Sequence, residues 1–275
     1  MAVLPPYSMG RTPSFACQAD PRFSYCLYVP QAYAKDPAST RLLVAMHDTL
    51  RNNQQLRDLF ADYAELTNTV VVAPLFPAGI GSPDDLDNYK YLRYADIRFD
   101  ELVPRMVSEV ARRYGLVDGT FSLFGFSGGA HFAHRFLYAK PERLESLVVA
   151  SPGSVTLPVK EYAWWPGLAD FERIFGRPVD WPALCRVPAH FIVGADDTNP
   201  NGIVSSRESP GWREGALAAG ANRVERIRTL HEQLRQRGAR VSFEQLEGVA
   251  HELEPVVQAA IRFLKGTPPR PGAAS

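Results

Sequence analysis

Cysteine is scarce. Only Cys17, Cys26 and Cys185 occur among 275 residues, at no metal-ligand spacing, so neither a disulfide framework nor a zinc site organises the chain. Unpaired thiols in a reducing cytoplasm are expected, with a bridge from Cys17 to Cys26 as the alternative for an exported protein. Net charge is absent too: 30 Lys and Arg balance 30 Asp and Glu. Without a basic excess or a one-sided basic face, nucleic acid is not an expected partner. The arginines between Arg213 and Arg240 are interleaved with glutamates and read as a solvated helix face. No uninterrupted apolar run approaches the length that crosses a bilayer, and residues 1–7 show no basic segment followed by an apolar one. Neither a membrane partner nor a secretory signal is expected. Internal repeats are also lacking.

What remains is a soluble globular composition, 45% hydrophobic and 22% charged, with strand and helix patterns in alternation. Strand signals fall at 23–29, 42–46, 70–75, 120–124, 147–150, 188–193 and 240–246. Helical periodicity covers 52–66, 100–114 with Pro104 at its first turn, 130–140, 214–237 with Gly220 interrupting it, and 253–264. This order predicts an α/β fold, a mainly parallel doubly wound sheet with helices on both faces, whose ligands bind at the carboxyl ends of the strands. One domain over 1–275 is expected, with an irregular lead-in and a disordered Pro/Gly/Ala-rich tail from 267 to 275. Two segments break the alternation. The loop 76–97 holds Asp87-Asn-Tyr-Lys-Tyr91, and its length marks it as functional. The stretch 155–186 gathers Tyr162, Trp164, Trp165, Phe171, Phe175 and Trp181. It reads as a small lid whose aromatics wall a pocket, the alternative being an excursion whose aromatics bury one another.

Within 120–130 an apolar strand meets Gly125-Phe126-Ser127-Gly128-Gly129 and passes straight into a helix. In that context a G-x-S-x-G pentapeptide forces the serine into a strained turn that lifts its hydroxyl clear of the sheet. A serine hydroxyl needs a base to take its proton, and an imidazole base needs a carboxylate to fix its tautomer. The later strand ends supply both: Asp197 in Gly194-Ala-Asp-Asp197, with Asp196 as the alternative, and His251 in Gly248-Val-Ala-His251. Phe126 and His131 flank the serine closely enough to border the pocket, while Trp164 and Trp165 supply its aromatic wall. His131 and His134 have a spacing a metal could use, but no third ligand accompanies them.

These three motifs, in the order Ser127, Asp197, His251, resemble the α/β-hydrolase superfamily over residues 23–265. The doubled glycine after the serine is most similar to esterases of the feruloyl-esterase and polyhydroxybutyrate-depolymerase kind. The resemblance implies a serine hydrolase cleaving an ester of a small or medium, largely apolar molecule, with no metal or organic cofactor. It also implies an oxyanion hole made by the backbone amides of Gly128 and Thr49. Many relatives carry His-Gly where this chain has His47-Asp48-Thr49, so Asp48 is expected to turn aside and bond to nearby amides. A peptidase or amidase with the same triad, a lyase using it, or a non-catalytic ligand-binding protein are the alternative readings.

Overall fold

The computed structural model describes residues 5–268 apart from 36 and 210. In chain order it contains β1 (Gly10–Arg11), β2 (Phe15–Ala16), β3 (Ser24–Val29), β4 (Arg41–Met46), α1 (Asn53–Leu59), α2 (Ala61–Thr67) and β5 (Thr69–Leu75). A small hairpin of β6 (Arg93–Tyr94) and β7 (Ile97–Arg98) precedes α3 (Phe99–Tyr114), β8 (Phe121–Phe126), α4 (Gly128–Ala139) and β9 (Leu144–Ala150). Then come α5 (Phe171–Phe175), α6 (Trp181–Arg186), β10 (Ala189–Gly194), α7 (Arg223–Gln236), β11 (Val241–Leu246) and α8 (Leu253–Gly266).

The main sheet has nine strands in the order β1-β3-β5-β4-β8-β9-β10-β11, with β2 also paired to β3. Pairing is antiparallel from β1 through β3 to β5 and parallel from there to β11. The central strands read as continuous apolar runs because both of their faces are covered. Side chains alternate across a strand, and in β4 this sends Leu42, Val44 and Met46 into a core shared with α3, α4 and α7. Leu43 and Ala45 enter a second core built with α1, α2 and α8. Each such buried Leu, Val or Met side chain contributes roughly 1.5–3 kcal/mol. The doubly wound α/β architecture read from the sequence is therefore the observed one.

Several details differ from expectation. The helix expected over 52–66 is broken at Phe60, whose ψ of 3° ends α1 before α2 begins. Part of the lead-in is ordered, since β1 and β2 pair with β3. Pro104 lies inside α3 rather than in its first turn. The helix expected from 214 starts only at Arg223. Gly220 sits at φ +128°, and the Asn222 side chain caps the helix by accepting the Glu225 amide at 3.0 Å. Of the tail, Thr267 is buried and donates its hydroxyl to Phe263 O at 2.9 Å, so it is tied to α8; residues 269–275 lie outside the described ones. Three of the six aromatics of 155–186 pack on one another, Trp164 meeting Phe171 and Phe175 edge-on at 5.7 and 5.0 Å, whereas Trp165 packs on Tyr91 and Trp181 on Tyr138. Among the described residues no helix is long and apolar enough to cross a membrane.

Candidate active site

The turn between β8 and α4 carries the strained residue. Ser127 has φ 53° and ψ −114°, a conformation that an L residue holds only when its surroundings dictate it. Here Ser127 N donates to Ala150 O at 2.9 Å, and Ser127 O accepts from Ala130 N at 3.0 Å. Glycine is obligatory on either side. A Cβ on Gly125 would lie 2.1 Å from Gly129 O, and one on Gly129 would lie 2.3 Å from Met46 O.

Two further turns meet this one. Gly194 approaches the turn after β11 so closely that a Cβ would stand 2.2 Å from Val249 O, and Asp196 N donates to that same carbonyl at 2.9 Å. Stitched in this way, the turns bring His251 Nδ1 within 2.7 Å of Asp197 Oδ2 and His251 Nε2 within 3.0 Å of Ser127 Oγ. A carboxylate can only accept, so Nδ1 carries the proton and Nε2 offers its lone pair to the serine. Asp197 is 1% exposed at its side chain and His251 32%; Asp196 faces solvent. Phe126 stacks on the His251 ring at 4.7 Å and thus supports the imidazole from behind.

Arg223 escaped the sequence reading, which put it on a solvated face. It is buried, and its guanidinium donates to Asp197 Oδ1 at 3.4 Å and to the carbonyls of Asn199 and Asn201 at 2.9 and 3.2 Å. Arg226 is fully buried as well and holds the carbonyls of Gly153, Val204 and Gly220. The reason is local. Loops that come together without a ladder leave carbonyls unpaired, and a guanidinium with five donors satisfies several at once.

Beyond β4 the backbone is oriented by buried side chains. Phe76 N donates to His47 Nε2 at 3.0 Å, so His47 Nδ1 carries the proton and donates to Asp48 O at 2.7 Å. In a planar trans peptide the carbonyl and the following N–H point in opposite directions, so this bond turns the Thr49 amide away from His47. The next carbonyl, Thr49 O, accepts from Arg51 at 2.5 Å. A Cβ on Gly128 would stand 2.8 Å from Thr49 N, which puts the two peptide nitrogens on a common space. Neither amide donates to a protein acceptor among the described residues. Asp48 lies as expected: its carboxylate accepts from Leu50 N at 2.7 Å and from Asn52 Nδ2 at 3.1 Å. Burial raises its carboxyl above the usual range, with the Leu50 amide opposing. Burial also pulls His47 down to about 3, so it stays neutral and serves as a strut.

At His131, one helical turn beyond Ser127, lies a cavity of about 330 Å³, whose lining includes Asp87, Lys90, Tyr91, Gly153 and Ser154. It is more polar than the pocket the sequence suggested. His131 borders it, whereas Trp164 and Trp165 are not part of its lining. Their indole N–H groups go to Tyr91 O and Gly211 O, both at 3.2 Å, and Trp165 stacks behind Tyr91 at 5.7 Å. His134 is spent on Ala130 O and Thr156 N, at 2.6 and 3.0 Å.

No family model matches the chain, and no curated protein is similar to it in sequence. Solved structures match it in fold. A poly(3-hydroxybutyrate) depolymerase from Bordetella parapertussis superposes with a TM-score of 0.75 over 96% of this chain and 93% of that one, at 23% identity. Poly(aspartic acid) hydrolase-1 from Sphingomonas sp. KT-1 gives 0.73 over 93% and 98%, at 22% identity. The chain has the α/β-hydrolase fold. An S-formylglutathione hydrolase from Agrobacterium tumefaciens shares this fold with a TM-score of 0.61 over 92% and 91%, at 18% identity. At such identities the likeness is one of architecture. Ser127, Asp197 and His251 lie in the turns that follow β8, β10 and β11.

Proposed function

We propose that this chain is a serine hydrolase that cleaves a carboxylic ester of a small or medium molecule through an acyl-enzyme. His251 Nε2 takes the proton as Ser127 Oγ attacks the carbonyl carbon, and Asp197 stabilises the imidazolium. The tetrahedral oxyanion sits between the amides of Thr49 and Gly128, where two fixed donors act without reorganising. His251 then passes its proton to the departing alkoxide. In the second half it deprotonates a water that releases the acid. Tyr89, whose hydroxyl donates to His47 O at 3.0 Å, acts as a positioning residue for the Thr49 turn, and Arg223 does the same for Asp197.

The observation that carries this reading is the unbroken relay of 2.7 and 3.0 Å from Asp197 through His251 to Ser127. Ser127→Ala should abolish turnover of a p-nitrophenyl acyl ester and labelling by a fluorophosphonate, while the circular dichroism spectrum stays unchanged. Retained turnover would reject the mechanism. The peptidase and lyase readings share this machinery, and an anilide panel with a labelled-water product analysis separates them. The binding-protein reading rested on Asp48, whose carboxylate is occupied by Leu50 N and Asn52. We read the chain as one domain in which 155–186 is a fixed wall behind Tyr91. The free thiols of Cys17, Cys26 and Cys185 support a cytoplasmic location.

A further inference from the structure

The cavity bordered by His131, whose lining includes none of Ser127, Asp197 and His251, has one lysine and one aspartate in that lining and buried arginines behind its wall. Lys90 is 7% exposed and bonds to Asp87 Oδ1 at 2.5 Å, the one acidic side chain in the lining. Behind Ser154 lies Arg135, fully buried, donating to Ser154 Oγ at 3.1 Å, Thr156 Oγ1 at 2.9 Å and the carbonyls of Lys90 and His131 at 3.0 and 3.3 Å. Arg226 holds the wall at Gly153 and Val204. No carboxylate is hydrogen-bonded to Arg135 or Arg226 among the described residues. Lys90 and Arg135 thus stand against Asp87, while Arg226 also feels the Glu225 carboxylate.

The neutral groups next to these cations are Ser154 and His131. Ser154 N donates to His131 Nε2 at 3.0 Å, and Ser154 Oγ lies 3.1 Å from His131 Nδ1. Arg135 donates to the same oxygen at 3.1 Å, so the hydroxyl accepts a charged bond and keeps a proton of its own. Burial, with the charges of Lys90 and Arg135 behind it, keeps His131 neutral. A site of cations and spare donors is complementary to a group that only accepts and carries negative charge. Its position suits a substrate arm: His131 lies one helical turn, ~5.4 Å, beyond Ser127, and Gly153 follows the strand end whose Ala150 carbonyl anchors Ser127 N.

We propose that this cavity binds a carboxylate on the substrate itself, so that the esters hydrolysed are half-esters of dicarboxylic acids or similar monoanions. This rests on the serine hydrolase reading and names its substrate class. The probes are mono-p-nitrophenyl esters of adipic, pimelic and suberic acid, each compared with its methyl-capped, uncharged counterpart. At low salt the best half-ester should exceed its capped partner at least about tenfold in kcat/KM. Raising NaCl to about 0.5 M, where the screening length is ~4 Å, should shrink that ratio. Lys90→Met should shrink it too, and Asp87→Asn, which frees the lysine, should enlarge it. The proposal is overturned if no half-ester is preferred over its capped partner, or if the preference ignores salt and both substitutions. The salt titration needs only the unaltered protein, so a misfolded variant leaves the test intact. Hydrolysis of capped esters without charge preference sinks this inference alone, whereas no turnover of any ester and no fluorophosphonate labelling sinks the hydrolase reading with it.

Discussion

Gly128 offers the sharpest test of the chemistry. A Cβ at this position would stand 2.6 Å from Tyr89 Oη and 2.8 Å from Thr49 N and Thr49 Oγ1, well inside the ~3.5 Å at which atoms pack without repulsion. The residue opens α4, so Gly128→Ala suits its backbone. The methyl group would occupy the space between the two amides and push the Thr49 turn or Tyr89 aside. Losing one oxyanion donor costs about 2.7–4 kcal/mol, or ~10²–10³ in kcat, and displacing Thr49 while covering Gly128 should reach the upper end. Overpacking of this kind costs ~1–3 kcal/mol of stability, so a folded but nearly inactive protein is expected. The measurement is kcat on a p-nitrophenyl ester beside Tm for this variant and for Gly125→Ala. In the latter the Cβ would stand 2.1 Å from Gly129 O, so fold and activity should fail together. If Gly128→Ala stays folded and keeps kcat within about tenfold of the parent, these amides do not hold the oxyanion.

Two further outcomes concern stability. Burial holds His47 at about 3 and His134 well below its usual value, whereas in the unfolded chain both titrate near ~6.5. The unfolded state therefore binds protons that the folded state refuses, so stability is complete above pH ~6.5 and falls as pH drops towards about 3, by up to ~2.7 kcal/mol per unit for the pair. Asp48, raised by burial, opposes part of this; equal urea midpoints at pH 7 and pH 5 would contradict the burial argument. Trp164→Ala should cost about 3 kcal/mol, since the indole packs on Phe171 and Phe175 and donates to Tyr91 O. Ester preference should not change, and an altered preference with an intact Tm would restore the pocket-wall role read from the sequence.

Much of this is legible in the sequence, for a physical reason. A triad at strand ends leaves short, local signatures: a glycine that permits the turn, then the functional residue at a fixed offset, as in Gly125 and Ser127, Gly194 and Asp197, Gly248 and His251. Asp48 could also be read, since an aspartate in a tight turn bonds to amides two residues on. The arginines could not. Arg223 and Arg226 look like their exposed neighbours because their burial depends on carbonyls of Gly153, Val204 and Asn199, which only folding assembles. Aromatic clustering in 155–186 signalled burial and was ambiguous about what it faced. The polar cavity had one sequence clue, the length of the loop that bears Asp87, Lys90 and Tyr91.

Arg226 clasps three bends, at Gly153, Val204 and Gly220, that share no sheet or helix. One cation replaces the strand pairing that would ordinarily tie such bends together. Burial brings it down only to about 10, so acidity that dismantles the histidine struts leaves this clasp charged. A lysine there would have to surrender the planar fork that reaches several carbonyls at once, and the bends would then be free to part while the sheet beneath them stayed whole.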